Sequence, residues 1–116
     1  MIDKLELNEF SSAILIGVTV GVGSQVLIFG NGASILIQCP FRCVFEGREQ
    51  WGHGEEVPTS VIFFDFLNLK VEVALMGEDG VLTMKFGGGY FVIVPEADGL
   101  ESYVVNTKFG MSPATI

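Results

Sequence analysis

Apolar residues recur at every second position through several stretches, the period of a strand with one covered face. Ile16-Gly17-Val18-Thr19-Val20-Gly21-Val22 alternates strictly and sets Ile16, Val18, Val20 and Val22 on one side. Gln25 to Phe29 reads as a second strand, and Gly30-Asn31-Gly32 as a tight turn, because Gly and Asn tolerate positive φ. Ser34 to Cys39 is a third strand, ended by Pro40, which has no amide hydrogen for a ladder. Arg42 to Glu46 reads as a further strand or an irregular edge. Leu69 to Leu75 alternates apolar and charged residues and is the clearest amphipathic strand in the chain. Val81 to Phe86, Gly87-Gly88-Gly89 and Tyr90 to Val94 form a hairpin stopped by Pro95, with Phe86, Tyr90, Val92 and Val94 filling one sheet face. Asp98-Gly99 turns the chain, Glu101 to Asn106 is a last strand, and 107–116 reads as a weakly ordered tail.

Three stretches resist the period-2 reading. Met1 to Phe10 alternates loosely, with Asn8 and Ser11 as candidate helix caps, and Ser11 to Leu15 is a helical turn or the start of a strand. Gly47 to Pro58 holds the only Trp, the only His and four close charges, and reads as an exposed loop. Val61 to Leu67 is a short helix capped by Thr59 or Ser60, or a buried strand; an apolar run this short does not distinguish them.

The two glycine hairpins superpose. With Phe29 placed on Phe86, Gly30 meets Gly87, Gly32 meets Gly89, Ile35 meets Val92, Ile37 meets Val94 and Gly23 meets Gly80. The expected fold is α+β and mostly β. It is a single domain over 1–116, a twisted or partly closed antiparallel meander made of two pseudo-repeated units at about 11–43 and 59–106, with one short helix.

Composition supports strands: ten Phe and many Val and Ile suit a pleated surface, and fifteen Gly imply many turns. Fourteen acidic against six basic residues leave a net charge of -8, which disfavours nucleic acid and anionic membrane as partners. That charge either keeps an apolar small protein soluble or steers it to a basic protein. Cys39 and Cys43 lie four apart, roughly 13 Å along an extended strand, too far to pair, so both are read as reduced, buried hydrophobes. The first residues lack a basic segment before an apolar run, and a cytoplasmic protein is expected.

Candidate chemistry is sparse. His53 has Glu49, Glu55 and Glu56 near it but no second His or thiolate at a zinc spacing, so no metal is expected. No nucleophile elbow occurs, and Gly87-Gly88-Gly89 stands between strands rather than before a helix, which argues against a phosphate cradle. No catalytic residue and no cofactor are assigned, and the chain reads as a non-enzyme. Trp51 is either an interaction anchor in a charged loop or an aromatic folded back over the sheet.

Leu82-Thr83-Met84-Lys85-Phe86-Gly87-Gly88-Gly89-Tyr90-Phe91-Val92-Ile93-Val94-Pro95-Glu96 and then Glu101-Ser102-Tyr103 resemble a family of small bacterial β-rich domains. That family includes immunity proteins of contact-dependent inhibition and polymorphic toxin systems. Gly88 departs from the family's Asp, and Glu101-Ser102-Tyr103 is a reduced form of its aromatic–acid strand. The resemblance implies an antitoxin that occludes a cognate, basic toxin domain of a larger secreted protein. The residues expected to carry binding are Glu46, Glu49, Trp51, Glu55 and Glu56, with Glu78 and Asp79 as a second rim. The alternative is a structural β-domain that homo-oligomerises through an exposed sheet edge.

Overall fold

The computed structural model describes residues 2–96 and 103–114. The strands are β1 Leu15–Gly21, β2 Ser24–Phe29, β3 Ser34–Ile37, β4 Pro40–Phe45, β5 Arg48–His53, β6 Val71–Met76, β7 Leu82–Phe86, β8 Gly89–Ile93, β9 Tyr103–Thr107 and β10 Gly110–Ala114. A short helix α1, Lys4–Asn8, precedes β1, and a 3-10 helix, Val57–Phe66, precedes β6. The chain is mostly β, as its alternation implies, but the expected single meander is corrected to two five-stranded antiparallel sheets. Their orders are β1-β2-β3-β9-β10 and β5-β4-β8-β7-β6. Each sheet therefore takes three consecutive strands from one half of the chain and a hairpin from the other. Interchanging β1–β5 with β6–β10 turns each sheet's order into that of the other.

Pro40 does not end a strand but opens one. At the first position of β4 its missing amide hydrogen costs no ladder bond, and its carbonyl accepts from Val94 N at 2.9 Å. The tail expected over 107–116 instead contains β10, paired with β9 from Gly110↔Thr107 to Ala114↔Tyr103. Glu101, Ser102 and the Asp98-Gly99 turn lie outside the described residues. Helix α1 is capped by Asp3, not by Asn8 or Ser11. Asp3 accepts from Glu6 N at 3.0 Å while the Glu6 carboxylate returns to Asp3 N at 3.3 Å, a reciprocal capping box.

Two bulges move side chains off the faces that strict alternation assigns them. One lies between Leu15 and Gly17, so Ile16 points outward although Leu15 and Val18 both pack on the core; Val20, on the side of Val18, and Val22, beyond the strand, are exposed near its end. The other lies between Val71 and Val73: Val71 is buried, Val73 and Leu75 face outward, and Ala74 and Met76 pack inward. At this corner backbone bonds join the two sheets, with Leu15 N donating to Leu69 O at 3.1 Å and Val71 N to Ala13 O at 2.8 Å.

The segment that could be helix or strand is a 3-10 helix begun at Val57, with Pro58 in its first turn and no side-chain cap from Thr59 or Ser60. Three residues per turn stack Ser60, Phe63 and Phe66 on one side, and all three are buried. Phe63 packs on Phe41 (ring centroids 4.2 Å) and Phe91 (5.3 Å), while Phe66 meets Phe86 (5.0 Å), Phe45 (5.4 Å) and Phe91 (5.5 Å). This aromatic cluster and the inward Leu27, Phe29, Ile35, Ile37 and Val105 of the other sheet form one core.

Cys39 and Cys43 are free and buried within it. Loss of hydration pushes both thiols from 9.0 up to about 12. Above pH 9 the unfolded chain therefore releases protons that the folded chain keeps. Stability fully present below pH 9 is lost as pH rises toward 12, by at most about 1.4 kcal/mol per thiol per pH unit. Urea unfolding at pH 8 and pH 10.5 is expected to show this decline, and a Cys39→Ala, Cys43→Ala double variant to flatten it; an equal slope in both proteins refutes the assignment.

The outer face of the first sheet consists of cross-strand rows Thr19–Val26–Leu36–Val104–Pro113 and Gly17–Ile28–Ser34–Asn106–Met111. Neither row contains an ionisable side chain. No helix among the described residues is long and apolar enough to cross a membrane.

Candidate functional site

The expected loop at Gly47 to Pro58 is corrected: Arg48–His53 is β5, the edge strand beside β4. Its charges and glycines hid it from a hydrophobicity pattern, because an edge strand with one polar face needs few apolar residues. Glu46 and Gly47 form the preceding two-residue turn, with φ of 50° and 81°. Positive φ at both positions matches the twist of the flanking strands, and the Glu46 amide bonded to Gly88 O at 2.9 Å holds a non-glycine residue there.

Alternation along β5 then sets Glu49, Trp51 and His53 on the outer face of the second sheet. The rows across that face are Glu49–Val44–Tyr90–Lys85–Val73 and Trp51–Arg42–Val92–Thr83–Leu75. Trp51 is 56 % exposed, so it does not fold back over the core. It stands beside Arg42, whose guanidinium lies 5.9 Å from the Trp51 ring and 5.5 Å from the Tyr90 ring. Arg42 also donates to Glu49 Oε2 at 3.0 Å and to the Tyr90 hydroxyl at 3.4 Å. The Tyr90 hydroxyl first, then Glu49, raises the guanidinium's hold on its proton above the ordinary value. The result is an exposed aromatic–cation–aromatic stack flanked by Val44 and Val92, with Lys85 beside Tyr90 on the next strand and Val73 and Leu75 beyond it.

Phe86 does not share this face with Tyr90 and Val92. The turn has two residues, so Phe86 pairs with Gly89 and Tyr90 with Lys85; Phe86 is buried and Tyr90 points the other way. Arg42 and Tyr90 are the members that sequence reading missed. The signal was present in the parity of Arg42 with Val44 and of Tyr90 with Val92, but it needs the antiparallel register of β4 against β8, which pairs residues 44 to 52 apart.

The acidic residues divide. Glu55 and Glu56 follow β5, and Glu78 and Asp79 form the β6–β7 turn, at the same end of the sheet because Gly52, Phe41, Ile93 and Leu82 are successive partners there. Glu46 lies at the opposite end, away from them. The β5 end is pinned from the first sheet by Gln25, which is fully buried on β2. Its Nε2 donates to His53 O and Glu56 O, both at 3.0 Å, and to Thr59 Oγ1 at 3.3 Å. His53 is not the solvated side chain expected. Its Nδ1 accepts from Glu55 N at 3.1 Å and lies 3.8 Å from Glu55 Oε1, and its Nε2 faces Glu96 Oε1 at 3.4 Å. His53, Glu55 and Glu96 each offer an atom within 4.8 Å of the others.

No family model matches this chain, and no curated protein or solved structure matches it at a significant level. Its chemistry is therefore read from the outer face itself: two aromatic rings, a partly shielded arginine, a lysine beside Tyr90, a valine-rich surround and a carboxylate-rich end.

Proposed function

We propose that this chain is a binding protein that neutralises a basic partner protein by covering it, in the manner of the immunity proteins its second hairpin resembles. The observation that carries this reading is the exposed Trp51–Arg42–Tyr90 stack, because Trp, Tyr and Arg are the residues that dominate protein–protein binding energy. Rigid aromatic rings supply contact area at little entropic cost. Glu49 beside them, and Glu55, Glu56, Glu78 and Asp79 at the end of the sheet, supply the negative field that speeds capture of a cationic partner. Glu46, at the far end, is outside this contact. The protein acts by occlusion, with no cofactor and no chemistry of its own, in the cytoplasm of the cell it protects. The scaffold that goes with this reading is a duplicated five-stranded unit with exchanged hairpins, supported by the identical strand orders of the two sheets.

The test is co-expression with the toxic domain encoded by a neighbouring reading frame. Cells making the native protein are expected to survive, and killing despite full expression defeats the proposal. For the purified pair, Trp51→Ala is expected to weaken binding by about 30-fold, roughly 2 kcal/mol, mostly through faster dissociation. Charge reversal at Glu49, Glu55 and Glu56 is expected to slow association, and added salt to do the same. A Kd indifferent to Trp51 in surface plasmon resonance rules out this face.

A further inference from the structure

We propose that the outer face of the β1-β2-β3-β9-β10 sheet is the seat of a second copy of this chain, packed face to face in a weak two-fold dimer. Five strands at four interstrand steps make this face about 19 Å across between its outer strands. Its two central rows carry Val26, Ile28, Leu36, Val104, Pro113 and Met111, and no charged residue, in a molecule of net charge -8. Met111 is 72 % exposed, although an outward strand position is ordinarily polar.

Charge selects the occupant. A cationic protein gains no attraction from a face without carboxylates and is drawn to Glu55, Glu56, Glu78 and Asp79 at the end of the other sheet. A second copy is repelled by every acidic part of this surface, and only an uncharged face lets two such molecules meet without opposing like charges. A two-fold axis through the face also sets each apolar row against its own equivalent, which requires no complementary charge pattern.

The mode is face to face rather than edge to edge. Edge strand β10 carries Pro113 within its five residues, so one ladder donor is missing. Edge strand β1 has a bulge at Leu15/Gly17, and its start is already bonded to residues 68–71. This departs from the edge association expected of an oligomerising β-domain. The sheet projects roughly 24 Å by 17 Å, about half of the 800 Å² per partner of a stable complex, so the dimer is weak.

Sedimentation equilibrium of the full chain from about 5 to 500 µM covers the range in which a weak dimer forms. A reversible dimer is expected, tightened when salt rises from about 50 to 500 mM because screening removes the mutual repulsion. Capture of a basic partner has the opposite salt dependence and uses Trp51, so either proposal can fail without the other. Leu36→Glu is expected to weaken the dimer at least about 100-fold, and Val73→Glu on the other sheet to leave it unchanged. Met111→Glu tests the same face at an exposed position that folding tolerates, with circular dichroism confirming the fold of each variant. A monomer at 500 µM, a dimer indifferent to both Leu36→Glu and Met111→Glu, or a dimer broken by Val73→Glu overturns the proposal.

Discussion

Gly54→Ala is expected to destabilise the protein by at least about 3 kcal/mol, a large part of what a domain of this size possesses. Gly54 is buried where β5 turns toward the 3-10 helix, and its amide donates to Cys39 O at 2.9 Å. A methyl group there overlaps the Ile37 carbonyl and lies 2.7 Å from Gln38 N. These atoms are backbone, so no rotamer change relieves the collision; the β3–β4 link or β5 must move. Movement of β5 breaks the contacts that hold His53 and Glu56 on Gln25, so the acidic end shifts even in whatever fraction still folds. Gly77→Ala is the matched control, because its methyl meets Val81 O at 3.6 Å, an ordinary contact. Urea unfolding followed by near-ultraviolet circular dichroism should separate the two, with Gly77→Ala within about 0.5 kcal/mol of the native protein. Equal midpoints for both variants would show that the β3–β4 link yields freely.

Phe66→Ala is expected to cost about 3–5 kcal/mol, the range for deleting a fully buried aromatic ring. Phe66 is the hub of the cluster: Phe45, Phe86 and Phe91 all contact it, and each loses a packing partner when the ring goes. The rigid sheet beneath cannot collapse into the cavity. The 3-10 helix is also tethered mainly by Phe63 and Phe66, so amide exchange over 57–66 should accelerate more than exchange in β2 or β7. Phe64, two residues earlier and 50 % exposed, provides the contrast. Phe64→Ala is expected to cost under about 1 kcal/mol. If Phe64→Ala and Phe66→Ala lower the thermal midpoint equally, the helix does not present a three-residue face.

What was legible in the sequence is what short-range physics controls. β2 and β7 alternate, and the turns after them carry glycines, so their hairpins can be read from neighbours in the chain. β5 and β10 were not legible for the same reason in reverse. Arg-Glu-Gln-Trp-Gly-His and Gly-Met-Ser-Pro-Ala have weak strand preferences, and they are strands because β4 and β9 offer them a ladder. The bulges at Leu15/Gly17 and Val71/Val73 reversed two faces, since one unpaired residue inverts everything beyond it. Of the candidate site, Trp51 and Glu49 were found because exposed aromatics and acids stand out in a polar segment. Arg42 and Tyr90 were not, because neither is unusual where it stands.

The sequence by itself determined the β class, the two glycine hairpins, the strongly acidic surface and the buried thiols, because turn chemistry, side-chain period and charge are properties of adjacent residues. Only the tertiary structure decided that the halves exchange hairpins between two sheets, that Ser60, Phe63 and Phe66 form a 3-10 face, and that Trp51, Arg42 and Tyr90 stack together. Those outcomes depend on which strands pair and in what register. Pairing is chosen by the burial of a whole face against a whole face, a free energy that no single segment contains.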